Sequence, residues 1–327
     1  MPNAPQILST LQRIAAGSPA PPACERITDW WPSWQSLAPS ASTPMAVAIG
    51  GGAIADRAGW AFAAGYQASL RSLLRDQPDW LPGTTMSAFC VTEESGNRPA
   101  DIQCRLEPVP GGHRLFGAKR WSTLGPESNR LLVAVRVPPH DAARPSLRMV
   151  RIRADSPGVT VITMPPTRFV PEVPHARLAF DGVAVAHEDV LPGDGYERYI
   201  KPFRSVEDIH VTAAVLAYLL AEAGRRGWPA SWRERALIAL LGFDALGALD
   251  PAAPLTHLAL AGALAGSRAL IDETVALWQL TPEDPASQRW TRDASLFGVA
   301  SGVRQQRTLR AWERLGPAGT MAAPAPS

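Results

Sequence analysis

The stretch FCVTEESGNRPADI, residues 89–102, places a threonine, two acids and a Gly-Asn-Arg-Pro turn directly after a short apolar run. A loop of this composition can present hydroxyl and amide donors to a ligand. It can also simply reverse the chain, because Gly and Asn tolerate left-handed backbone angles. The residues alone leave both interpretations open.

Glu207 is the second group whose type and position could support chemistry. It lies in SVEDIHVTAAVLAYLL, and on a helical projection it is beside Ala214 and Tyr218, close to a largely apolar face. Burial beside such a face raises the pKa of a carboxyl, and a carboxylate of raised pKa can act as a general base near neutral pH. The alternative is a glutamate that only stabilises the first turn of a helix through the helix dipole.

The three cysteines, Cys24, Cys90 and Cys104, are odd in number and lack metal-ligand spacing. This pattern favours neither a disulfide framework nor a zinc site, so we predict no metal centre. A reducing compartment fits such cysteines, and the chain is expected to be cytoplasmic.

Charge and hydropathy exclude two further classes of protein. The 32 basic and 30 acidic residues leave a net charge of +2, and the basic residues are scattered, which argues against nucleic-acid binding. The first residues lack the continuous apolar core of a signal peptide, and no window reaches the roughly 18 to 20 apolar residues of a membrane span. An apolar content of 46% is ample for a globular core.

The chain has three regions that differ in their apolar periodicity and turn signals, and these regions must position the candidate residues. Residues 1–85 are predicted to form a trimmed helical domain, with a helix at 6–16, an irregular Pro/Ser/Trp-rich stretch at 18–44, and a helix marked by the spacing of Trp60, Ala64, Gln67 and Leu70. Residues 86–192 contain short apolar runs between regular turn signals, which indicates an antiparallel β domain.

Helical periodicity returns in residues 193–318. The first helix is marked by Val206, Ile209, Ala213, Leu216 and Leu220, and further helices are predicted at 231–246, 255–280 and 288–315. Four such helices without a sheet favour an antiparallel four-helix bundle. Residues 319–327 are expected to be a disordered tail, and the whole chain is predicted to have an α+β fold.

Four segments in this order resemble the acyl-CoA dehydrogenase family, and the resemblance covers most of the chain from about Gly59 onward. They are FCVTEE at 89–94, GAKRWSTLG at 117–125, LAFDGVAVAHEDVLPGDG at 178–195 and RWTRDASLFGVASG at 289–302. In the family the first two segments line the flavin of a bound FAD. By this resemblance, the cofactor-binding residues are Phe89, Val91, Thr92, Gly96, Asn97, Trp121, Ser122 and Thr123.

The resemblance also has departures. The family's loop continues as Pro-x-Ala-Gly-Ser-Asp, whereas this chain has a loop one residue shorter, in which Asn97 would replace the serine that reaches the pyrophosphate and Arg98 could add positive charge. The Arg-x-x-Phe and Gln-x-x-Gly-Gly segments that hold the adenine half of FAD in relatives are not found between 231 and 290. These departures leave retention and loss of the flavin as alternatives.

The catalytic base departs from the commoner family pattern as well. In most members it is a glutamate eight residues after the Asp of an Arg-Asp pair, and counting from Asp293 leads to Ser301, which cannot serve. A minority of members carry the base near the start of the first helix of the C-terminal bundle, where this chain has Glu207. Glu93 and Glu94 are weaker candidates, and His210 is assigned no role.

Three functional hypotheses follow from the resemblance. The leading one is an FAD-dependent dehydrogenase that oxidises an acyl thioester, such as an acyl-CoA, at the α,β position with Glu207 as the base. The others are a flavin-dependent monooxygenase on the same fold and a cofactor-free member that acts as an assembly partner. Family members are usually homo-oligomers that pass electrons to an electron-transfer flavoprotein. The resemblance therefore implies two partners, further copies of this chain and an electron-transfer flavoprotein.

Overall fold

The computed structural model describes residues 4–37, 43–83, 85–139, 145–294, 296 and 301–316. Helices, a central sheet and further helices follow one another along the chain, which confirms the predicted α+β fold. The expected disordered tail at 319–327 lies outside the described residues. The N-terminal helices are α1 (Ala4–Ala15), α2 (Ile27–Leu37), α3 (Pro44–Ala53) and α4 (Ala58–Leu73).

Helix α4 is the central element of the N-terminal region. Trp60, Ala64, Gln67 and Leu70, the residues whose spacing predicted it, are all completely buried. The buried amide of Gln67 is satisfied by the next element of the chain, because its Nε2 donates to the Ser87 carbonyl at 2.7 Å and its Oε1 accepts from the Ser87 amide at 3.1 Å. These two bonds fix the helix against the start of the sheet.

The prediction of an irregular segment over 18–44 was wrong for α2 and for the start of α3. Trp30, Trp31 and Trp34 share one face of α2 and are buried. Trp31 stacks on Trp34 with ring centroids 4.4 Å apart, and Trp30 stacks on Trp60 of α4 at 6.1 Å. Burial of these large aromatic surfaces stabilises the helix even though Pro32 lies inside it, since a buried ring contributes more than one lost hydrogen bond.

The sheet has seven strands in the order β1-β4-β2-β3-β7-β6, with β5 paired to β4. Most pairings are antiparallel, as predicted, but β1 pairs with β4 in parallel and β2 meets β4 through a single parallel pair. An alternating apolar pattern is the same for either direction, so the sequence could not reveal this. The strands are β1 (Ser87–Cys90), β2 (Arg105–Val109), β3 (Gly112–Thr123), β4 (Arg130–Val137), β5 (Ser146–Arg153), β6 (Val159–Thr163) and β7 (His175–Val185).

The C-terminal region has more helices than the four predicted. The single helix expected at 288–315 consists instead of two helices, and residues 295 and 297–300 between them lie outside the described part of the chain. The helices of this region are α5 (Lys201–Arg226), α6 (Ala230–Gly247), α7 (Pro254–Trp278), α8 (Pro285–Asp293) and α9 (Ser301–Leu315).

Helices α4 and α5 pack very closely, and this contact positions the site. A Cβ placed on Gly65 of α4 would lie 2.4 Å from the Val211 Cα of α5, and one on Gly52 of α3 would lie 1.9 Å from the Ala214 carbonyl oxygen. Only glycine allows backbones to approach to this distance. Over the described ranges, no helix is both long and apolar enough to cross a membrane.

Candidate functional site

The loop after β1 is held by a buried ion pair. Lys119 Nζ, on β3, donates to Glu93 Oε1 at 2.6 Å, and both side chains are almost fully buried. Lys119 Nζ also donates to the Val91 carbonyl, and the Glu93 carboxylate accepts the amides of Gln103 and Cys104 at 2.8 and 3.0 Å. Glu93 is thereby fully engaged, so its position is structural.

The turn at Gly96–Asn97 closes on itself. Glu93 and Gly96 exchange both backbone hydrogen bonds, at 2.8 and 3.2 Å, and Asp101 Oδ2 accepts the Arg98 amide at 2.9 Å. Gly96 has φ of +138°, and a Cβ there would meet Asp101 Oδ2 at 2.5 Å. These amides are therefore used within the loop, which favours the chain-reversal interpretation over a pyrophosphate cradle. The side chains of Asn97 and Arg98 are exposed.

Trp121 presents its indole outward from β3. The pairing of β3 with β7 shifts register between Lys119 and Ser122, and Trp121 at this bulge has φ of +58°, which is rare for a residue with a bulky side chain. The bulge leaves the Trp121 side chain 46% exposed, whereas Ser122 beside it is completely buried. Ser122 is therefore closed to solvent in this arrangement, while Thr123 is partly exposed.

The indole has two neighbours that the sequence did not single out. His175 of β7 meets it edge-on with ring centroids 5.9 Å apart, and the Arg120 guanidinium lies 5.5 Å from the ring centroid. Burial lowers the pKa of His175, so this ring is neutral at physiological pH. Arg120 and Arg177 both pair with the Glu94 carboxylate, which leaves the border of the Trp121 face with one net positive charge.

The β1 loop and the Trp121 strand meet directly. The Arg120 amide donates to the Thr92 carbonyl at 2.8 Å, so Val91 and Thr92 run beside the bulge that carries Trp121 and Thr123. Val91 is buried and Thr92 is partly exposed. Five of the eight predicted cofactor residues are thus adjacent: Val91, Thr92, Trp121, Ser122 and Thr123.

Glu207 occupies the second turn of α5, not its first. The helix begins at Lys201 and continues a π-helical turn at Tyr196–Ile200, so Glu207 cannot be a helix-capping residue, which rules out that alternative. The side chain is partly buried and forms no ion pair among the described residues. Burial raises the pKa of Glu207 to about 7, with Arg204 and Arg304 opposing the rise and Asp208 adding to it.

The adjacent acid has an entirely different environment. Asp208 is buried and accepts hydrogen bonds from two arginines of α9, from Arg304 Nη2 at 2.8 Å and from Arg307 Nη2 at 3.0 Å. Asp208 is therefore a structural ion-pair residue that attaches α9 to α5. This pairing explains why two neighbouring acids differ in role.

Aromatic rings connect Glu207 to the β1 loop. Phe203, one turn before Glu207, packs against Phe89 of β1 with centroids 4.2 Å apart and meets Tyr66 of α4 edge-on at 6.2 Å. The Tyr66 hydroxyl accepts the Phe89 amide at 2.8 Å. Burial raises the pKa of Tyr66, and the nearby Glu207 charge contributes to the rise. Phe89 therefore links the base candidate and the flavin candidates, although its ring faces the helices.

Of the remaining candidates, His210 has a structural role and the Ser301 side chain lies outside the described part of the chain. His210 is buried, its Nδ1 lies 2.8 Å from the Val206 carbonyl, and burial lowers its pKa to about 4, so it is a neutral structural residue. In the described part of the chain, no cluster of three or more histidine, cysteine or acidic side chains could hold a metal ion.

Comparison with known proteins shows relatives of one kind. No family model matches the chain. It is 37% identical over 79 residues to the probable acyl-CoA dehydrogenase FadE10 of Mycobacterium tuberculosis, a match covering 23% of this chain and 12% of the relative. It is 27% identical over 130 residues to mitochondrial isovaleryl-CoA dehydrogenase of Oryza sativa subsp. japonica, covering 39% of this chain and 31% of that enzyme. The matches thus span less than a third of these relatives' lengths.

Solved structures share the fold over nearly the whole chain. Glutaryl-CoA dehydrogenase from Mycobacterium smegmatis superposes with a TM-score of 0.63 at 16% identity, covering 96% of this chain and 95% of that one. PigA with FAD and proline superposes with a TM-score of 0.68 at 14% identity, covering 96% and 97%. With the order of helices, sheet and helices, these superpositions show that the chain shares the fold of acyl-CoA dehydrogenases, and the curated proteins that it matches carry that name.

Proposed function

We propose that this chain is an FAD-dependent oxidoreductase that oxidises an acyl thioester, such as an acyl-CoA, at the α,β position. The observation that carries the proposal is Glu207, a partly buried carboxylate that has no ion pair among the described residues and whose pKa is raised to about 7. A base of this kind is half ionised near neutral pH. A large fraction of it is then in the reactive carboxylate form, and that form still has a high affinity for a proton. The names of the curated relatives and the FAD in the PigA complex support the choice of substrate and cofactor.

The residues near Trp121 fit an isoalloxazine ring. A flat apolar ring needs a planar neighbour and a few directed donors, and the exposed indole and the partly exposed Thr92 and Thr123 offer them. When bound, FAD supplies the hydride acceptor. The net positive border formed by Arg120, Arg177 and Glu94 would favour a negatively charged ring system.

The adenine half of FAD has less support in this chain. The Gly96 and Arg98 amides are engaged within the loop, and the adenine-binding segments of relatives are not found between 231 and 290. The isoalloxazine end of FAD would therefore supply most of the binding to this chain. Weak flavin binding, with loss of the cofactor on dilution, is the expected consequence.

The protein's own residues perform the proton step. A Glu207 carboxylate oxygen accepts the α-proton, and the aromatic cluster of Phe203, one helical turn before it, with Phe89 and Tyr66 would limit access of water. Exclusion of water keeps the carboxylate basic, because hydration would otherwise stabilise its charge. Asp208, held by Arg304 and Arg307, keeps the helix turn that carries Glu207 in place.

The deciding experiment is anaerobic titration of the FAD-reconstituted protein with a series of acyl-CoA thioesters. Bleaching of the visible flavin absorbance by a saturated acyl-CoA supports the proposal. A bound flavin that no thioester bleaches contradicts it. Oxygen uptake with supplied reduced flavin would then favour the monooxygenase hypothesis, and absence of any flavin binding would favour the cofactor-free assembly partner.

The pH dependence of the reaction provides an independent prediction. Because Glu207 must be deprotonated to act and its pKa is about 7, kcat/KM for the saturated thioester should rise about tenfold per pH unit below 7 and level off above it. Stopped-flow flavin reduction between about pH 5 and 9 measures this profile. A midpoint near the ordinary value of 4.5 would show that the carboxylate is not desolvated as described.

We also propose that the protein is a homo-oligomer and donates electrons to an electron-transfer flavoprotein, as the family resemblance implies. Exposed apolar side chains on α6 and α7, among them Ile238, Leu241, Leu255 and Val275, support an additional contact surface. Light scattering during gel filtration tests the first part, and a monomer at micromolar concentration contradicts it. Reduction of an added electron-transfer flavoprotein tests the second.

A further inference from the structure

A cavity of about 390 Å³ lies between the start of α3, the end of α4 and the segment that follows α4. None of its lining residues is one of the flavin candidates around Trp121, and Glu207 is not among them either. Its apolar wall includes Val47, Leu74 and Leu81, and its polar wall includes Arg71, Arg75 and Gln77. A volume of this size is typical of small-molecule sites.

Arg71 is a largely desolvated cation that has no carboxylate partner in the described part of the chain. Its Nη atoms donate to the carbonyls of Gln67 at 2.9 Å, Gly83 at 3.2 Å and Thr85 at 2.7 Å, and its guanidinium lies 4.7 Å from the Trp34 ring centroid. Its Nε–H is buried and has no hydrogen-bond partner. Burial lowers the pKa of Arg71 to about 10, which reflects the cost of a charge that lacks a compensating anion.

Arg75 adds a second positive charge to the same cavity. It is exposed and lies one helical turn after Arg71, and like charges at this spacing repel each other. Among the ion pairs of the described residues, none includes Arg71 or Arg75, and the nearby Asp76 pairs instead with Arg198 at 3.6 Å. The N-terminal end of α3, capped by Thr43, also borders the cavity and adds its positive dipole.

We propose that this cavity binds a small organic anion, a carboxylate on a short apolar chain. The carboxylate compensates Arg71 and Arg75 and accepts a hydrogen bond from the Gln77 amide, while the chain lies against Val47, Leu74 and Leu81. A planar carboxylate matches the fork of the exposed Arg75 guanidinium, Arg71 contributes its charge and its unbonded Nε–H, and the apolar wall selects an anion with a hydrocarbon portion. The site is independent of the proposed redox function, since it lies outside the residues that carry it.

Isothermal titration of the full-length protein with hexanoate and octanoate tests this site. We expect one equivalent to bind and each added methylene to tighten binding about fourfold, or roughly fifteenfold between the two acids, since each CH₂ leaves water. Hexylammonium, with the same chain and the opposite charge, should not bind. Inorganic phosphate should bind far more weakly than octanoate, because it cannot use the apolar wall.

Three variants make the test specific. Arg75→Gln should weaken octanoate binding about tenfold without loss of folding, because the side chain is exposed and makes no ion pair. Val47→Phe should abolish binding by filling the cavity, with circular dichroism as the check of folding, and if it fails to fold Arg75→Gln decides. Glu207→Gln, at the other site, should bind octanoate like the wild type.

Several results would overturn the proposal. These are no heat of binding with octanoate at millimolar concentration, equal binding of hexylammonium, equal binding of phosphate, or an unchanged affinity in Arg75→Gln. Loss of binding in Glu207→Gln would also overturn it, because the carboxylate would then be entering the acyl site. None of these outcomes depends on bound flavin, so the proposed redox activity can fail while this site stands.

Discussion

Replacement of Glu207 by glutamine should lower the rate of flavin reduction by an acyl-CoA by about 10²- to 10⁴-fold, the usual contribution of a positioned general base. The amide keeps the size and hydrogen-bonding ability of the side chain but cannot take up the α-proton. Thioester affinity should change little, because Glu207 forms no ion pair in the described structure whose loss would disturb the helix. Stopped-flow reduction and equilibrium binding of the thioester measure the two quantities separately.

Asp208→Asn is the matched control, since it removes a neighbouring charge that pairs with α9. It should lower stability while leaving the rate of flavin reduction per folded molecule within about one order of magnitude of the wild type. Equal loss of rate in the two variants, or an unaffected rate in Glu207→Gln, would remove Glu207 from the mechanism.

The same glutamine variant has a stability signature that does not require a cofactor. The pKa of Glu207 is raised from 4.5 to about 7 in the folded protein, so ionisation of this group opposes folding as pH rises through that range. Glu207→Gln should therefore match the wild type at pH 4.5 and exceed it by about 1–2 kcal/mol above pH 7, after allowance for partial exposure. Urea unfolding at the two pH values measures the difference.

Lys119→Met should lower the free energy of unfolding by about 3–5 kcal/mol, because it leaves the buried Glu93 carboxylate without its cation. Lys119 and Glu93 are joined at 2.6 Å and are almost fully removed from water. The substitution also removes the hydrogen bond to the Val91 carbonyl, so the loop that carries the flavin candidates Val91 and Thr92 should become more mobile. Urea denaturation gives the free energy, and flavin affinity reports on the loop.

Two further variants separate the buried charge from the lost contact. Glu93→Gln combined with Lys119→Met removes both charges and keeps an acceptor for one of the two backbone amides, so it should recover part of the lost stability. Arg153→Met breaks the exposed pair with Asp155 and should change stability by less than about 0.5 kcal/mol. If Lys119→Met behaves like this surface control, the pair is not desolvated.

Local sequence patterns predicted those helices and strands in which buried residues recur with helical or alternating spacing. The four apolar or buried positions of α4 follow helical spacing, and the strands of the sheet alternate as expected. Helix α2 escaped prediction because three tryptophans and a proline resemble an irregular segment until their burial against α4 is known. The parallel pairing of β1 with β4 depends on which strand becomes a neighbour, and strand periodicity carries no information about that.

The candidate site could be predicted only as far as the family resemblance reached. Trp121 and Glu207 came from recognisable segments, but the left-handed backbone at Trp121 arises from a bulge in the pairing with β7. His175 and Arg177 belong to no motif, so no sequence signal identified them as neighbours of the indole and the loop. The difference between Glu207 and Asp208 likewise depends on arginines nearly a hundred positions away.

That separation has a consequence for the order in which the protein matures. During synthesis α5 leaves the ribosome before α9, and until α9 arrives the Asp208 carboxylate lacks its two arginine partners. A carboxylate without those partners is costly to bury, so the packing around Asp208 cannot be completed until α9 has been made. The turn of α5 that carries Glu207 therefore depends on a segment synthesised nearly a hundred residues later.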